Sequence, residues 1–365
     1  MRQANEAQAV AGRGEVMLAK KHWWSRWTRG FWPGRLRPRK AAADAPQVEA
    51  GEAASAVPCP AHDTVGLVQT ILADQRHALL LRRQVVERLS VEVYDQAYSA
   101  LEQTMALIPA GEVELERREC EPGEGPLAAR QKVEALLLDR CPVTNAQFRR
   151  FVAGGGYKLQ PLWDAQVWPA VDGFVDLTGA PGPRHWRNGH FPGGEDDHPV
   201  VGIGWHEAAA YARWAGKRLP TDAEWVRAAA WPIALADGRC RQRRFPWGDT
   251  MDRGRCNVWG SGPGRTVSVR QFSSGVSAGG VYQLIGNVWE WMSNDFEPLD
   301  YDGTLLEVAL PMKGIRGGAF DTYFDQQATC QFSSGENRLA RKHNIGFRCA
   351  LSLCDVAPRS AGARS

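Results

Sequence analysis

The stretch Gly280 to Phe296, GVYQLIGNVWEWMSNDF, places large aromatic residues, a Gly-Asn pair and a carboxylate within a few positions. Tyr282, Trp289 and Trp291 supply the bulk that a core needs. Gly286 permits backbone conformations that a Cβ would forbid. The stretch therefore predicts an irregular turn, packed with aromatic side chains, at the centre of the fold.

Oxygen atoms are also concentrated in this turn. Asn287 and Glu290 offer side-chain oxygens beside the free carbonyls of an irregular segment. Hard cations such as Ca²⁺ prefer this mixture of carboxylate and carbonyl oxygens. The alternative is a buried turn whose polar side chains bond to one another without a metal.

The motif GNVWEW resembles the signature of the sulfatase-modifying-factor family, whose founding activity is formylglycine generation. Five more segments match the family in the same order, from about Ala106 to Leu351: Leu136 to Tyr157, His198 to Ala230, Phe245 to Asp249, Arg316 to Phe320 and Ile345 to Ala350. The resemblance implies an α+β domain with sparse regular structure, a C-type-lectin-like variant of the formylglycine-generating-enzyme type. It implies the fold more directly than the activity, because function depends on a site carried by the fold.

The resemblance also implies two calcium sites. The first would use the side chain of Gln283, the carbonyls of Gly286 and Val288, and the carboxylate of Glu290. The second would use Asn257 and Val258 with an Asp further along the chain. Here the loop Gly260 to Arg265 contains no acid.

Formylglycine generation in this family relies on two cysteines that bind Cu(I), a soft ion that prefers thiolates. The matching positions here are Thr322 and Gln327, and Ala319 stands where the family has a pocket serine. A hydroxyl and an amide cannot replace thiolates, so we expect no copper and no formylglycine by the family mechanism. Cys330 and Cys349 are the thiols that a rearranged catalytic site would use.

The leading hypothesis is therefore an accessory or maturation protein that binds a protein or peptide in the former substrate groove. The residues expected to line this groove are Trp289, Ala319, Phe320, Thr322 and Gln327, with walls from the loop around Trp163 to Trp186 and from the segment Phe320 to Gln331. Aromatic side chains beside charged ones suit peptide recognition.

An oxidoreductase that modifies a peptide or a small thiol is the alternative, so whether the chain is an enzyme stays open. Asp321, Asp325 and His343 could form a facial triad for non-haem iron. A polar rim around a binding pocket would explain the same residues.

Composition narrows the class of protein. The chain has 365 residues, a net charge of +3, fifteen tryptophans and 38 glycines, which favours a loop-rich domain and argues against a globally basic nucleic-acid binder. No CxxC pair occurs among the eight cysteines, and no secretory segment follows the start, so we expect a cytoplasmic protein with mostly reduced thiols. A Cys330–Cys349 or Cys349–Cys354 disulfide remains open.

Composition shifts predict five regions: a basic Trp-rich arm (1–40), a flexible linker (41–58), a helical segment (59–105), the family domain (106–354) and a disordered tail (355–365). The arm holds ten Lys or Arg and only two acids. Basic and aromatic residues together favour contact with a membrane surface or another anionic partner. A solvated tail is the alternative.

Sequence patterns also predict individual helices. Apolar spacing from Asp63 to Met105 indicates one long helix or a helical hairpin. Thr144 should cap a helix from Asn145 to Ala153, and another should run from Trp205 to Ala215. Thr221 with Glu224 forms a capping box for a third helix.

Overall fold

The protein is described here by a computed structural model that covers residues 64–116, 128–235, 240–298, 306–308 and 311–357. The predicted arm and linker, and most of the predicted C-terminal tail, lie outside these residues. No helix in the described ranges is long and apolar enough to cross a membrane.

The helical segment, which the structure describes from Thr64 onward, contains four helices there: α1 (Thr64–Ala73), α2 (His77–Leu80), α3 (Arg83–Val86) and α4 (Val91–Thr104). The helical character is confirmed, but the prediction of one long helix or a hairpin is wrong. Gln75 adopts a positive φ of 60°, and the Ser90 side chain accepts a hydrogen bond from the Val93 amide to begin a new helix. Met105 starts a strand instead of ending the helix.

The helical segment packs on the family domain through a small core of its own. Leu80, Leu81 and Leu101 lie in this core together with Leu351 from the last strand. The Tyr94 hydroxyl donates to the carbonyl of Ala357 at 3.2 Å. The segment is thus part of the folded body.

Four small sheets form the rest of the framework in the described residues. The strands are β1 (Met105–Ile108), β2 (Gly111–Glu116), β3 (Ala128–Val133), β4 (Leu136–Asp139), β5 (Ile233–Ala234), β6 (Cys240–Arg241), β7 (Trp289–Phe296), β8 (Met312–Arg316), β9 (Ser333–Asn337), β10 (Ile345–Gly346) and β11 (Ala350–Ser352). A three-stranded antiparallel sheet has the order β1–β4–β11, and a four-stranded sheet has the order β10–β7–β8–β9, in which β10 runs parallel to β7. The other described strands form the pairs β2–β3 and β5–β6.

Three helices pack against these sheets: α5 (Asn145–Ala153), α6 (Trp205–Trp214) and α7 (Asp222–Ala230). Reciprocal side-chain bonds of Thr144 with Gln147 and of Thr221 with Glu224 begin α5 and α7, so both predicted caps are confirmed. Each bond satisfies an amide that the first turn would otherwise leave unpaired.

The long loop from Tyr157 to Asp197 contains short 3₁₀ turns and isolated β-bridges but no longer helix or strand, yet two of its three tryptophans are buried and Trp168 is partly buried. Trp163 is 6% exposed and Trp186 is 2% exposed, and both belong to the larger core cluster. Aromatic burial thus holds together a domain with little regular structure. The predicted α+β fold class is confirmed.

Candidate functional site

The turn before β7 is built from residues in left-handed backbone conformations. Gln283, Gly286 and Asn287 have φ values of 51°, 81° and 69°. A Cβ on Gly286 would lie 2.6 Å from the carbonyl oxygen of Asn257, so only glycine fits there. The Asn287 side chain accepts from the Val267 amide at 2.9 Å and donates to Gln283 Oε1 at 2.6 Å. The turn is therefore a closed network of amide groups.

Glu290, the first charged residue of β7, is 1% exposed. Arg348 donates to both of its oxygens, from Nε at 2.7 Å and from Nη2 at 2.6 Å. The indole nitrogen of Trp225, on α7, donates to the same carboxylate at 2.8 Å. In this structure Glu290 joins α7, β7 and the closing segment, a structural role different from the predicted one of metal ligand.

The two predicted sets of calcium ligands differ in whether their side-chain oxygens already accept hydrogen bonds. In the first set, Gln283 Oε1 and both Glu290 oxygens already accept hydrogen bonds from protein groups, so a cation would compete with these donors for the same oxygens. In the second set, Asn257 Oδ1 is buried and has no hydrogen-bond partner among the described residues. That free oxygen fits a cation, while the amide nitrogen of the same side chain donates to the Arg265 carbonyl at 2.9 Å. Calcium binding stays a prediction.

Thr322 and Gln327, at the positions that the family resemblance assigns to the copper thiols, lie in the segment that follows β8. Thr322 is 5% exposed, and its hydroxyl accepts from the Ala319 amide at 2.8 Å. Gln327 lies half-buried at the end of a 3₁₀ turn, Asp325–Gln327.

The thiols that a rearranged site would need lie apart in the core. Cys330 belongs to the cluster around Trp225, and Cys349 belongs to the cluster around Phe347. Burial raises the pKa of both thiols well above the ordinary value. Cys330, Cys349 and Cys354 are free, so neither of the two disulfides left open by the sequence is formed.

The predicted groove residues are mostly buried. Trp289 is 9% exposed, Phe320 is 7% exposed, and Ala319 is fully covered. The Trp163 and Trp186 side chains, expected in the groove walls, pack in the core as well. These residues can support a surface, but a partner would meet other side chains first.

Three exposed aromatic side chains, Trp259, Tyr323 and Phe324, form what we call the aromatic patch. They are 54%, 62% and 48% exposed. Ring centroids lie 6.3 Å apart for Trp259 and Tyr323, and 5.2 Å apart for Tyr323 and Phe324. The backbone amide of Trp259 also donates to the carbonyl of Thr322 at 3.2 Å. The patch thus adjoins Thr322, at the position that the family resemblance assigns to the first copper thiol.

Sequence reasoning did not select Trp259. The sequence feature that could have identified Trp259 is its position in WGSGPG. A large side chain within a glycine-rich loop has few neighbours to cover it. Tyr323 and Phe324 fall inside the segment Phe320 to Gln331 that was predicted to border the groove.

Asp321 and Asp325, which flank Tyr323 and Phe324 in the chain, belong to two separate pairs of ionisable groups. Arg253 donates to Asp325 at 2.7 Å. His343 Nε2 lies 3.6 Å from Asp321, which also accepts from the Asn344 amide. The proposed iron triad of Asp321, Asp325 and His343 is therefore not assembled, because Asp325 pairs with Arg253 instead. Across the described ranges, no group of three or more His, Cys, Asp or Glu side chains is placed to hold a metal.

A second buried carboxylate, Glu207 on α6, ties the long loop to the segment before β10. It accepts from the Tyr157 hydroxyl at 2.6 Å and from the Gly204 amide at 2.8 Å. Arg341 reaches it with Nε at 2.8 Å. Burial raises the pKa of Glu207 above its ordinary value, although Arg341 opposes the shift.

Known proteins resemble this chain over different spans. Hercynine oxygenase from Mycolicibacterium thermoresistibile is 37% identical over 173 residues, which cover 46% of this chain but only 37% of that relative. Formylglycine-generating enzyme from Thermomonospora curvata is 31% identical over 274 residues, which cover 63% of this chain and 86% of the relative. An inactive C-alpha-formylglycine-generating enzyme 2 from Mus musculus is 31% identical and is covered to 79% of its length.

The model of the sulfatase-modifying factor enzyme 1-like domain matches residues 91–353. The match begins at the start of α4 and includes the turn before β7, the aromatic patch and the closing strands. The family thus contains proteins named as oxygenase, as formylglycine-generating enzyme and as inactive enzyme. From this match, the chain belongs to the family of sulfatase-modifying factor enzyme 1-like domains.

Proposed function

We propose that the chain is an accessory or maturation protein that binds an extended peptide segment of a protein partner through the aromatic patch. The observation that carries this proposal is the exposure of Trp259, Tyr323 and Phe324 as one contiguous surface. Large aromatic residues on a surface provide much contact area at a low cost in side-chain entropy, and they are enriched at binding hot spots.

The charges beside the patch favour a peptide over a purely apolar partner. The Arg253 and Asp325 side chains are each about two-fifths exposed, and the His343 side chain is 64% exposed. Partly exposed charges at the rim can hydrogen-bond a peptide backbone or polar side chains. An aromatic centre within a polar rim is the usual composition of a protein interface.

The residues below the patch support binding without copper chemistry. Thr322 has no thiol to offer a soft metal, and its hydroxyl is already used by the Ala319 amide. Purified chain incubated with copper, oxygen and a sulfatase-type cysteine peptide should leave the thiol unchanged by mass spectrometry. Conversion of the thiol to an aldehyde would overturn this part of the proposal.

The binding surface is tested with a displayed library of random peptides. Peptides selected on the wild-type chain should lose binding to a Trp259→Ala, Tyr323→Ala double variant. Tyr98→Ala is the matched control, because Tyr98 is an exposed aromatic residue of the helical segment, 40% exposed. Selected peptides that bind the double variant and the wild type equally would refute the patch as the binding surface.

An oxidoreductase that modifies a peptide or a small thiol is the second candidate, supported by the similarity to hercynine oxygenase. Such an enzyme would need a redox metal or thiols from beyond the described residues, or a rearrangement of those described. Metal analysis of the purified chain separates the candidates: stoichiometric iron or copper favours the enzyme, and their absence favours the binding protein.

A further inference from the structure

A cleft of about 340 Å³ lies where the helical segment meets the family domain. One wall comes from the turn around Asp74 to His77 and the end of α4, and the other comes from the segment after β4 and from Arg270. Its volume is within the range of small-molecule sites, roughly 300–1,000 Å³. It shares no lining residue with the aromatic patch.

The charged residues of the cleft leave an excess of positive charge. Asp139 is paired with Lys217 at 2.6 Å, and Asp197 accepts from the Ser268 hydroxyl at 2.5 Å. Arg150 donates to the uncharged amide of Gln75 at 2.7 Å. Three carboxylates, Asp74, Asp139 and Asp197, line the cleft against four cations, Arg140, Arg150, Lys217 and Arg270.

Among the described residues, the guanidinium groups of Arg140, Arg150 and Arg270 have no carboxylate partner, and Arg140 and Arg270 also lack the short side-chain hydrogen bond that Arg150 makes. Arg140 makes one long contact, 3.4 Å from Nη1 to the Gly280 carbonyl. The Arg270 side chain has no hydrogen bond or ion pair with another described residue. Both arginines line the cleft together with Cys141.

The rest of the cleft wall is suited to the apolar part of a small organic molecule. Val143, Tyr211 and Trp214 contribute apolar surface, and all three are buried. Gln103 and Thr104 lie exposed at the end of α4 and provide polar groups at the mouth. Ligand sites commonly combine apolar walls with a few polar groups that fix orientation.

We propose that this cleft binds a small organic oxyanion, with Arg140 and Arg270 as the groups that contact the charged head. Guanidinium groups bind carboxylates and phosphates through paired, charge-assisted hydrogen bonds. The apolar wall then favours an anion that carries a compact apolar group, and a bare inorganic ion should bind more weakly. The helical segment supplies one side of the site.

Calorimetric titration of the full chain tests the proposal with phenyl phosphate, benzoate, benzyl alcohol and inorganic phosphate. We expect phenyl phosphate or benzoate to bind, and their relative affinities identify the head group as phosphate or carboxylate. Benzyl alcohol lacks the charge and inorganic phosphate lacks the apolar body, so both should bind at least tenfold more weakly. Equal binding of inorganic phosphate would reveal an adventitious anion only, and no binding of either aromatic anion would overturn the proposal.

Variants locate the binding. Arg270→Gln and Arg140→Gln should each lower the affinity for the bound anion at least tenfold, with melting temperatures near that of the wild type. Arg187→Gln is the matched control, because Arg187 is an exposed arginine of the long loop that does not line the cleft. Equal affinities in all three variants would refute the site.

Alkylation of the cysteines gives a second test of where the anion binds. The bound anion should slow modification of Cys141, which lines the cleft, and should leave exposed Cys354 unaffected. Peptide mapping by mass spectrometry separates the two thiols. Unchanged modification of Cys141 at a saturating concentration of the anion would place the binding elsewhere.

Discussion

Arg348 and Glu290 form a fully buried, two-pronged ion pair, with nitrogen–oxygen distances of 2.6 and 2.7 Å and side-chain exposures of 0% and 1%. Arg348 also donates to the carbonyls of Asp139 at 2.9 Å and Tyr282 at 2.8 Å. The guanidinium therefore connects β4, the turn and β7. Few other geometries could satisfy all of its donors away from water.

Arg348→Ala should lower the free energy of unfolding by about 3–5 kcal/mol, because it leaves the Glu290 carboxylate buried without its partner. Chemical denaturation measures the change. Lys132→Ala is the control, since Lys132 pairs with Glu134 on the surface, where both side chains are about three-quarters exposed. That change should stay within about 0.5 kcal/mol. Similar losses in both variants would contradict the assigned role of the buried pair.

Gly286→Ala should destabilise the protein more than Gly264→Ala. Both glycines have positive φ, 81° and 71°, so both substitutions impose backbone strain of about 1 kcal/mol. Only at Gly286 does the new methyl meet a neighbour, the Asn257 carbonyl oxygen at 2.6 Å. We expect an extra cost of roughly 1–3 kcal/mol there, measured by denaturant titration. Equal costs would show that the turn relaxes freely.

The stability difference between the wild type and Glu207→Gln should depend on pH. Because burial raises the folded pKa of Glu207 above 4.5, the folded chain holds this proton more tightly than the unfolded chain. Its contribution is fully present below pH 4.5 and is lost as the pH rises through the folded pKa. Denaturation at several pH values from 4.5 upward should show the wild type losing stability relative to the variant. A difference that does not change with pH would contradict the raised pKa.

Thiol reactivity should follow burial. Burial raises the pKa of Cys256 to about 12 and raises those of Cys330 and Cys349 as well. Since the thiolate is the reactive form, these three should resist a disulfide reagent in the native chain. Cys354 is exposed and should react first. Peptide mapping assigns the modified thiols, and rapid modification of Cys330 and Cys349 before unfolding would argue for an accessible rearranged thiol site.

Calcium should raise the melting temperature if the free oxygen of Asn257 binds it. Asn257→Ala should abolish the increase, whereas Gln283→Ala should retain it, because Gln283 Oε1 is occupied by the Asn287 amide. Thermal unfolding with calcium and with a chelator measures the effect. Loss of the increase only in Gln283→Ala would assign the ion to the first predicted set instead.

The sequence by itself determined the fold class and the positions of the caps. Thr144 with Gln147 and Thr221 with Glu224 interact within one helical turn, so their geometry is set by local spacing. The turn around Gly286 could likewise be recognised from its motif. Its positive φ is a local backbone property, and a glycine in the sequence signals it.

Only the tertiary structure decided which side chains are buried and what they contact. Glu290 meets Arg348 across 58 residues of chain and Trp225 across 65, and sequence spacing does not encode such contacts. The same holds for Trp259, which joins Tyr323 on the surface while Trp163 and Trp289 turn inward. Whether an aromatic or acidic side chain is buried in the core or exposed at a site depends on residues distant in the sequence that pack against it. Those contacts form only when the whole domain folds.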